Sequence, residues 1–167
     1  MHRKKDGSKY ITPEGNQRLI DEFKHLWRVL RPDVTKALAA AAAEGDRSEN
    51  AEYIYRKKQL REIDSRIHFL KERLENIQVV DQIPADGSHV FFGAWVRLED
   101  EEGNKCQYRI VGPDETDQTR GFISMDSPMA RSLMTKAEGD DVVVRRPKGE
   151  TVFTILRVWY GPDGSSE

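Results

Sequence analysis

Two apolar seams, each stepping by three and four, limit what this chain can fold into. Ile20, Phe23, Trp27, Leu30, Val34, Ala37 and Ala41 fall on one face of a first helix; Leu60, Ile63, Ile67, Leu70, Leu74 and Ile77 do so on a second, and that seam extended backwards meets Tyr53 and Arg56. Only the polar stretch 45–53 separates them. Helices of roughly 30 residues joined by so short a link must run antiparallel, as a hairpin about 45 Å long. A seam this narrow buries too little for a globular core, so the hairpin should project from another part of the chain.

Local chemistry marks the helix ends. Thr12-Pro13-Glu14 reads as a start, with a hydroxyl cap and a proline at the first helical position, where its missing N–H is no loss. Pro32 lies inside the first pattern and predicts a kink or brief break between residues 28 and 32. Residues 37–43, Ala-Leu-Ala-Ala-Ala-Ala-Ala, are the strongest helix formers and also make a thin helix, which suits either propensity alone or a shaft entering a narrow opening.

The tip is Gly45-Asp46-Arg47-Ser48-Glu49-Asn50-Ala51-Glu52-Tyr53. Gly45 can take the left-handed conformation that ends a helix, and Asp46 can cap the next helix with Glu49 three residues on. In that register the two carboxylates share a face, roughly 5–6 Å apart at Cβ, close enough to share a divalent cation or one water. The same residues read equally as a capping-box variant that complements the helix dipole. Just beyond, Arg56-Lys57-Lys58-Gln59-Leu60-Arg61 puts four cations in six residues beside Tyr53 and Tyr55, a composition that suits single-stranded nucleic acid or a plain solvated face.

After residue 80 the period changes. Residues 94–98, 107–111, 122–124, 142–144 and 151–160 are short runs rich in branched and aromatic side chains between Gly, Pro and Asp turns, predicting a mainly antiparallel sheet. Ser127-Pro128 opens one short helix. The expected organisation is α+β: a hairpin over 1–80 with a loose basic arm at 1–11, a linker at 81–89, and a sheet domain over 90–167 with a polar tail at 161–167. Charge divides along the same line. Residues 1–80 carry 17 Lys and Arg against 13 Asp and Glu, while 81–167 carry 10 against 16, which suggests two different partners. Cys106 is the only cysteine, so a disulfide framework is excluded, and no apolar run approaches the roughly 20 residues of a membrane span. A cytoplasmic protein is expected. No nucleophile with a base stands out, and His2, His25, His68 and His89 are scattered.

The tip sequence, continuing through Lys57-Lys58-Gln59-Leu60-Arg61-Glu62-Ile63-Asp64, resembles bacterial transcript cleavage factors of the GreA/GreB family. So do Leu26-Trp27-Arg28, Arg31-Pro32-Asp33-Val34-Thr35-Lys36, Val90-Phe91-Phe92-Gly93-Ala94-Trp95-Val96 and Ile123-Ser124-Met125-Asp126-Ser127-Pro128-Met129-Ala130-Arg131, in order over residues 8–160. The resemblance implies a coiled-coil hairpin and a second domain of FKBP-like fold seated on the rim of the RNA polymerase secondary channel. It implies that Asp46 and Glu49 help the polymerase hold a second Mg²⁺ and orient the attacking water. It further implies that Lys57, Lys58 and Arg61 hold the 3′ segment of backtracked nascent RNA, and that Asp126, Ser127 and Pro128 contact the polymerase. Two acids alone bind Mg²⁺ poorly, so the isolated monomer should hold no metal and have negligible nuclease activity of its own. Two rival readings are a non-cleaving regulator that occupies the same channel and, from the implied fold of the second domain alone, a peptidyl-prolyl isomerase or chaperone.

Overall fold

A computed structural model describes residues 7–45, 49–162 and 164, and divides the chain into two units, Asn16–Ile77 and the combination of Met1–Gly15 with Gln78–Glu167. In the first unit the two seams become helices. α1 (Pro13–His25) runs through a π-helical segment (Leu26–Leu30) into α2 (Arg31–Ala42), and α3 (Ala51–Asn76) returns. Val34, Ile63 and Ile67 are buried between them, with Phe23, Leu26, Leu30 and Leu60 packed alongside. Pairing along the legs is antiparallel: Asn50 Nδ2 donates to the Ala41 carbonyl at 2.7 Å, Arg31 Nε to Asp64 at 2.7 Å, and Arg66 bidentately to Glu22 at 2.7 and 3.0 Å.

Two seam positions differ from the sequence reading, and one cause accounts for Trp27. The Arg31 N–H reaches the Leu26 carbonyl, five residues back, so this turn is wider than an α-turn. Each residue then turns through less than 100°, which puts Leu26 and Leu30 on the seam and swings Trp27 out, 54% exposed. Nearer the start of the helix, Leu19 rather than Ile20 is the buried residue. Pro32, which lacks an N–H and crowds the preceding turn, is accommodated by this widening, and the helix does not break.

In the other unit, β3 (Trp95–Asp100), β4 (Lys105–Val111), β5 (Phe122–Ser124), β6 (Asp141–Arg146) and β7 (Gly149–Trp159) form a sheet in the order β5-β4-β3-β7-β6. Every pairing is antiparallel except β4 with β5. One face buries Val96, Leu98, Ile110, Val142, Val144, Phe153 and Ile155 together with Ala130 and Leu133 of α4 (Pro128–Leu133). The other gathers Trp95, Val111 and Phe122 with Trp159; Trp95 stacks on Trp159 at 6.0 Å between ring centres. The described residues of the polar tail have a place on this second face, where Trp95 Nε1 donates to the Gly161 carbonyl at 2.9 Å and Gln107 Nε2 to that of Gly164 at 3.2 Å.

The arm expected to be loose is not so over its described part. Tyr10–Ile11 (β1) pairs in parallel with Gln78–Val79 (β2), Ile11 is fully buried, and the Ser8 N–H and hydroxyl both donate to Asp126, at 2.9 and 2.6 Å. Thr12 caps α1 as its sequence predicts, its Oγ1 accepting from the Gly15 N–H at 3.1 Å. Its own hydroxyl and N–H donate to Glu115, a buried carboxylate that also accepts from the Gly112 N–H at 2.8 Å. Buried charges need such partners, and Glu115 fixes the start of α1 to the 3-10 turn at Pro113–Glu115. Nearby, Arg109 is buried beside the rings of Trp95 and Phe122, 5.9 and 5.8 Å from their centres, and donates to the Gly93 carbonyl. Burial pushes its pKa down, while Glu14 and Glu115 push it back up.

Candidate functional site

At the hairpin tip, Gly45 adopts φ +136°, a backbone conformation that favours glycine, and α2 ends as its sequence predicts. The cap of α3 is a correction. Asn50, not Asp46, occupies it: φ −87° and ψ 99° place Asn50 outside the helix, and its Oδ1 accepts from the Tyr53 N–H at 3.0 Å. An amide suits this position better than a carboxylate because Asn50 also needs a donor for the Ala41 carbonyl at the end of the other leg. Glu49 therefore lies before the cap, exposed in the turn, rather than in the first helical turn. Asp46 falls outside the described residues.

Among the described residues no group of three or more His, Cys, Asp or Glu is placed to hold a metal. The donors available at the tip are nonetheless of the right kind for Mg²⁺. Glu44 and Glu49 are exposed carboxylates with no thiol or imidazole beside them, the oxygen chemistry suited to a hard cation that keeps its waters and shares its shell with another ligand set, whereas Glu52 is paired with Arg56.

Lys57, Lys58 and Arg61 are all exposed on α3, and a 100° step puts them on one side of it together with Ile54, itself 53% exposed. Lys57 lies 6.0 Å from the Tyr53 ring centre. Lys58 is only 4.0 Å from Glu62 with both ends solvated, a pairing too weak to occupy it. Arg56 is different: Glu52 and Gln59 hold it at 2.8 and 2.9 Å, and it leans over Tyr55. The sequence run of four cations thus separates into three that face solvent and one that braces the helix.

Asp126, Ser127 and Pro128 sit together at the start of α4. Ser127 Oγ accepts from the Ala130 N–H at 3.2 Å as the helix cap, and Pro128 is exposed at the first helical position. Asp126 is taken up within the molecule, since the two hydrogen bonds from Ser8 hold its carboxyl below the usual carboxylate range. Ser127 and Pro128 also border an apolar hollow of about 250 Å³ lined by Tyr108, Ile123, Met129 and Val144, with Arg145 and Arg146 at its edge. No sequence signal marks this hollow, because its walls come from three strands and a helix.

Comparison with known proteins fits these parts in order. Residues 9–79 match the family described as "Transcription elongation factor, N-terminal", and residues 85–160 the one described as "Transcription elongation factor, GreA/GreB, C-term". Transcription elongation factor GreB of Pseudomonas aeruginosa is 56% identical over 156 residues, covering 93% of either chain. That of Xanthomonas axonopodis pv. citri is 58% identical over 151 residues, 90% of either chain. The crystal structure of GreA factor homolog 1 (Gfh1) from Thermus thermophilus aligns with 89% of this chain and 97% of its own, at 25% identity and a TM-score of 0.41. With matches that run through the hairpin and on through the sheet, at more than half identity to these relatives, the chain belongs to the GreA/GreB family of transcription elongation factors.

Proposed function

We propose that this elongation factor stimulates the RNA polymerase's own hydrolysis of backtracked nascent RNA, releasing a 3′ segment and leaving an end that can be extended. The sheet unit docks on the rim of the secondary channel, Asp126, Ser127 and Pro128 lying at the contact, and the hairpin carries Asp46 and Glu49 inward. The factor is not itself a nuclease; it acts in the cytoplasm, as a monomer, by lending carboxylates to another machine's reaction centre. The exposure of Glu49 in a turn at the end of the alanine-rich leg carries this reading.

Each group has a task its chemistry can perform. Glu49, with Asp46, accepts hydrogen bonds from water and orients it. Glu49 and Asp46 would help hold Mg²⁺ jointly with the polymerase, and the ion would supply stabilisation of the charge that develops on attacking and leaving oxygens. Lys57, Lys58 and Arg61, about 9 to 15 Å beyond the start of α3 at 1.5 Å per residue, neutralise the phosphates of the extruded RNA. The solvated state of these cations supports that role.

The test is a stalled, backtracked elongation complex incubated with Mg²⁺ and the factor. Asp46→Ala or Glu49→Ala should abolish stimulated cleavage while polymerase binding survives. Cleavage at the unaltered rate with both substituted would overturn the reading, and inhibition by the unaltered protein would favour a channel occluder instead.

A further inference from the structure

The chain gives up the burial of its one hairpin tryptophan. The wide turn at Leu26–Leu30 swings Trp27 from the seam into solvent, where the Arg31 guanidinium lies 5.7 Å from its ring centre. Asp64 of α3 in turn holds Arg31 at 2.7 Å. A ring backed by an anchored guanidinium loses little freedom when a partner covers it, which is the arrangement of a binding hot spot rather than of a core residue. From Phe23 to Arg31 the helix reads Phe-Lys-His-Leu-Trp-Arg-Val-Leu-Arg, with Lys24, Arg28 and Arg31 within four residues of Trp27 and no acid in that run. Across the hairpin, the Asp64 carboxylate faces Arg31.

We propose that Trp27 is a second anchor of the factor, docking in an apolar recess of the polymerase channel wall that is rimmed by carboxylates. This inference rests on the polymerase reading above and deepens it. Trp27 stands 18 residues before Gly45, about 27 Å back along the helix. The tip and its cations meet catalytic groups and RNA; a residue so far behind them on an inserted shaft meets protein. The ring supplies apolar area at the centre of the contact, and Lys24 and Arg28 supply charge complementary to an acidic rim.

The experiment compares the unaltered factor, Trp27→Ala and Trp27→Phe for affinity to a backtracked elongation complex, for cleavage rate at saturating factor, and for thermal melting. Trp27→Ala should weaken binding by roughly tenfold to thirtyfold. Its rate at saturation and its melting should be retained, with Trp27→Phe between the two in affinity. Independently, a photoreactive benzophenone side chain at position 27 should cross-link to a polymerase subunit. Unchanged affinity of Trp27→Ala, or cross-links to RNA or to a second copy of the factor instead, would overturn the anchor. Failure of the unaltered factor to bind the polymerase would sink the polymerase reading and the anchor with it, whereas normal binding by wild type and Trp27→Ala alike sinks the anchor alone.

Discussion

Glu115 shows how much of this fold turns on a single side chain. It accepts from the Gly112 N–H and, 103 positions upstream, from both the N–H and the hydroxyl of Thr12, and its carboxylate fills the space beside Gly15. A Cβ at Gly15 would lie 2.0 Å from Glu115 Oε1, with the carboxylate held from three sides and unable to withdraw. Gly15→Ala should therefore destabilise the sheet unit by about 1–3 kcal/mol, lowering its melting temperature by several degrees. Gly87→Ala, at a site with open space and no unusual φ, should stay within about 0.5 kcal/mol. Calorimetry on the two variants checks the contrast. None of this was visible locally, because Gly-Pro-Asp-Glu reads as an ordinary acidic turn and the partners that bury the glutamate are distant in sequence.

At the scale of elements, the hairpin separates what packing supplies from what charge supplies. Ile67 is 9% exposed at the centre of the seam, so Ile67→Ala should cost about 2–5 kcal/mol. Arg66 beside it makes a bidentate pair with Glu22, yet both side chains are about two-fifths exposed, and Arg66→Ala should cost at most about 1 kcal/mol, less as salt rises. Urea unfolding followed by circular dichroism would report both. The seams, the alanine-rich leg, the Thr12 and Ser127 caps and the run of short strands were all legible, since each rests on interactions within a few residues. Asn50 was hidden by a competing signal: Asp46 and Glu49 have capping-box spacing, and only the carbonyl of Ala41 across the tip decides for the amide. Trp27 was misplaced because a helical period of 3.6 cannot foresee a π-turn.

For the whole molecule, membership of the GreA/GreB family makes RNA polymerase the setting in which its surfaces act. If Lys57, Lys58 and Arg61 each neutralise one phosphate, the RNA-dependent part of affinity should fall by about 0.7 log unit per phosphate for each tenfold rise in salt. The triple alanine variant should flatten that slope by about 2 units, measured as binding to backtracked complexes across a salt series; an unchanged slope would remove these residues from the RNA contact. The family and the fold class could be read from ordered motifs along the chain, but the assignment of residues 7–15 to the sheet unit could not. A two-residue strand such as Tyr10–Ile11 has no periodicity to read.

That small parallel pair has a further meaning. Because Tyr10 and Ile11 lie beside Gln78 and Val79, the chain leaves the sheet unit and re-enters it at neighbouring points, so residues 16–77 form a cassette inserted between two segments of the sheet unit whose ends pair with each other. A cassette of this kind can be lengthened, shortened or exchanged by whole turns without rethreading the sheet, leaving reach and chemistry at the far end free to vary independently of the seat that holds them.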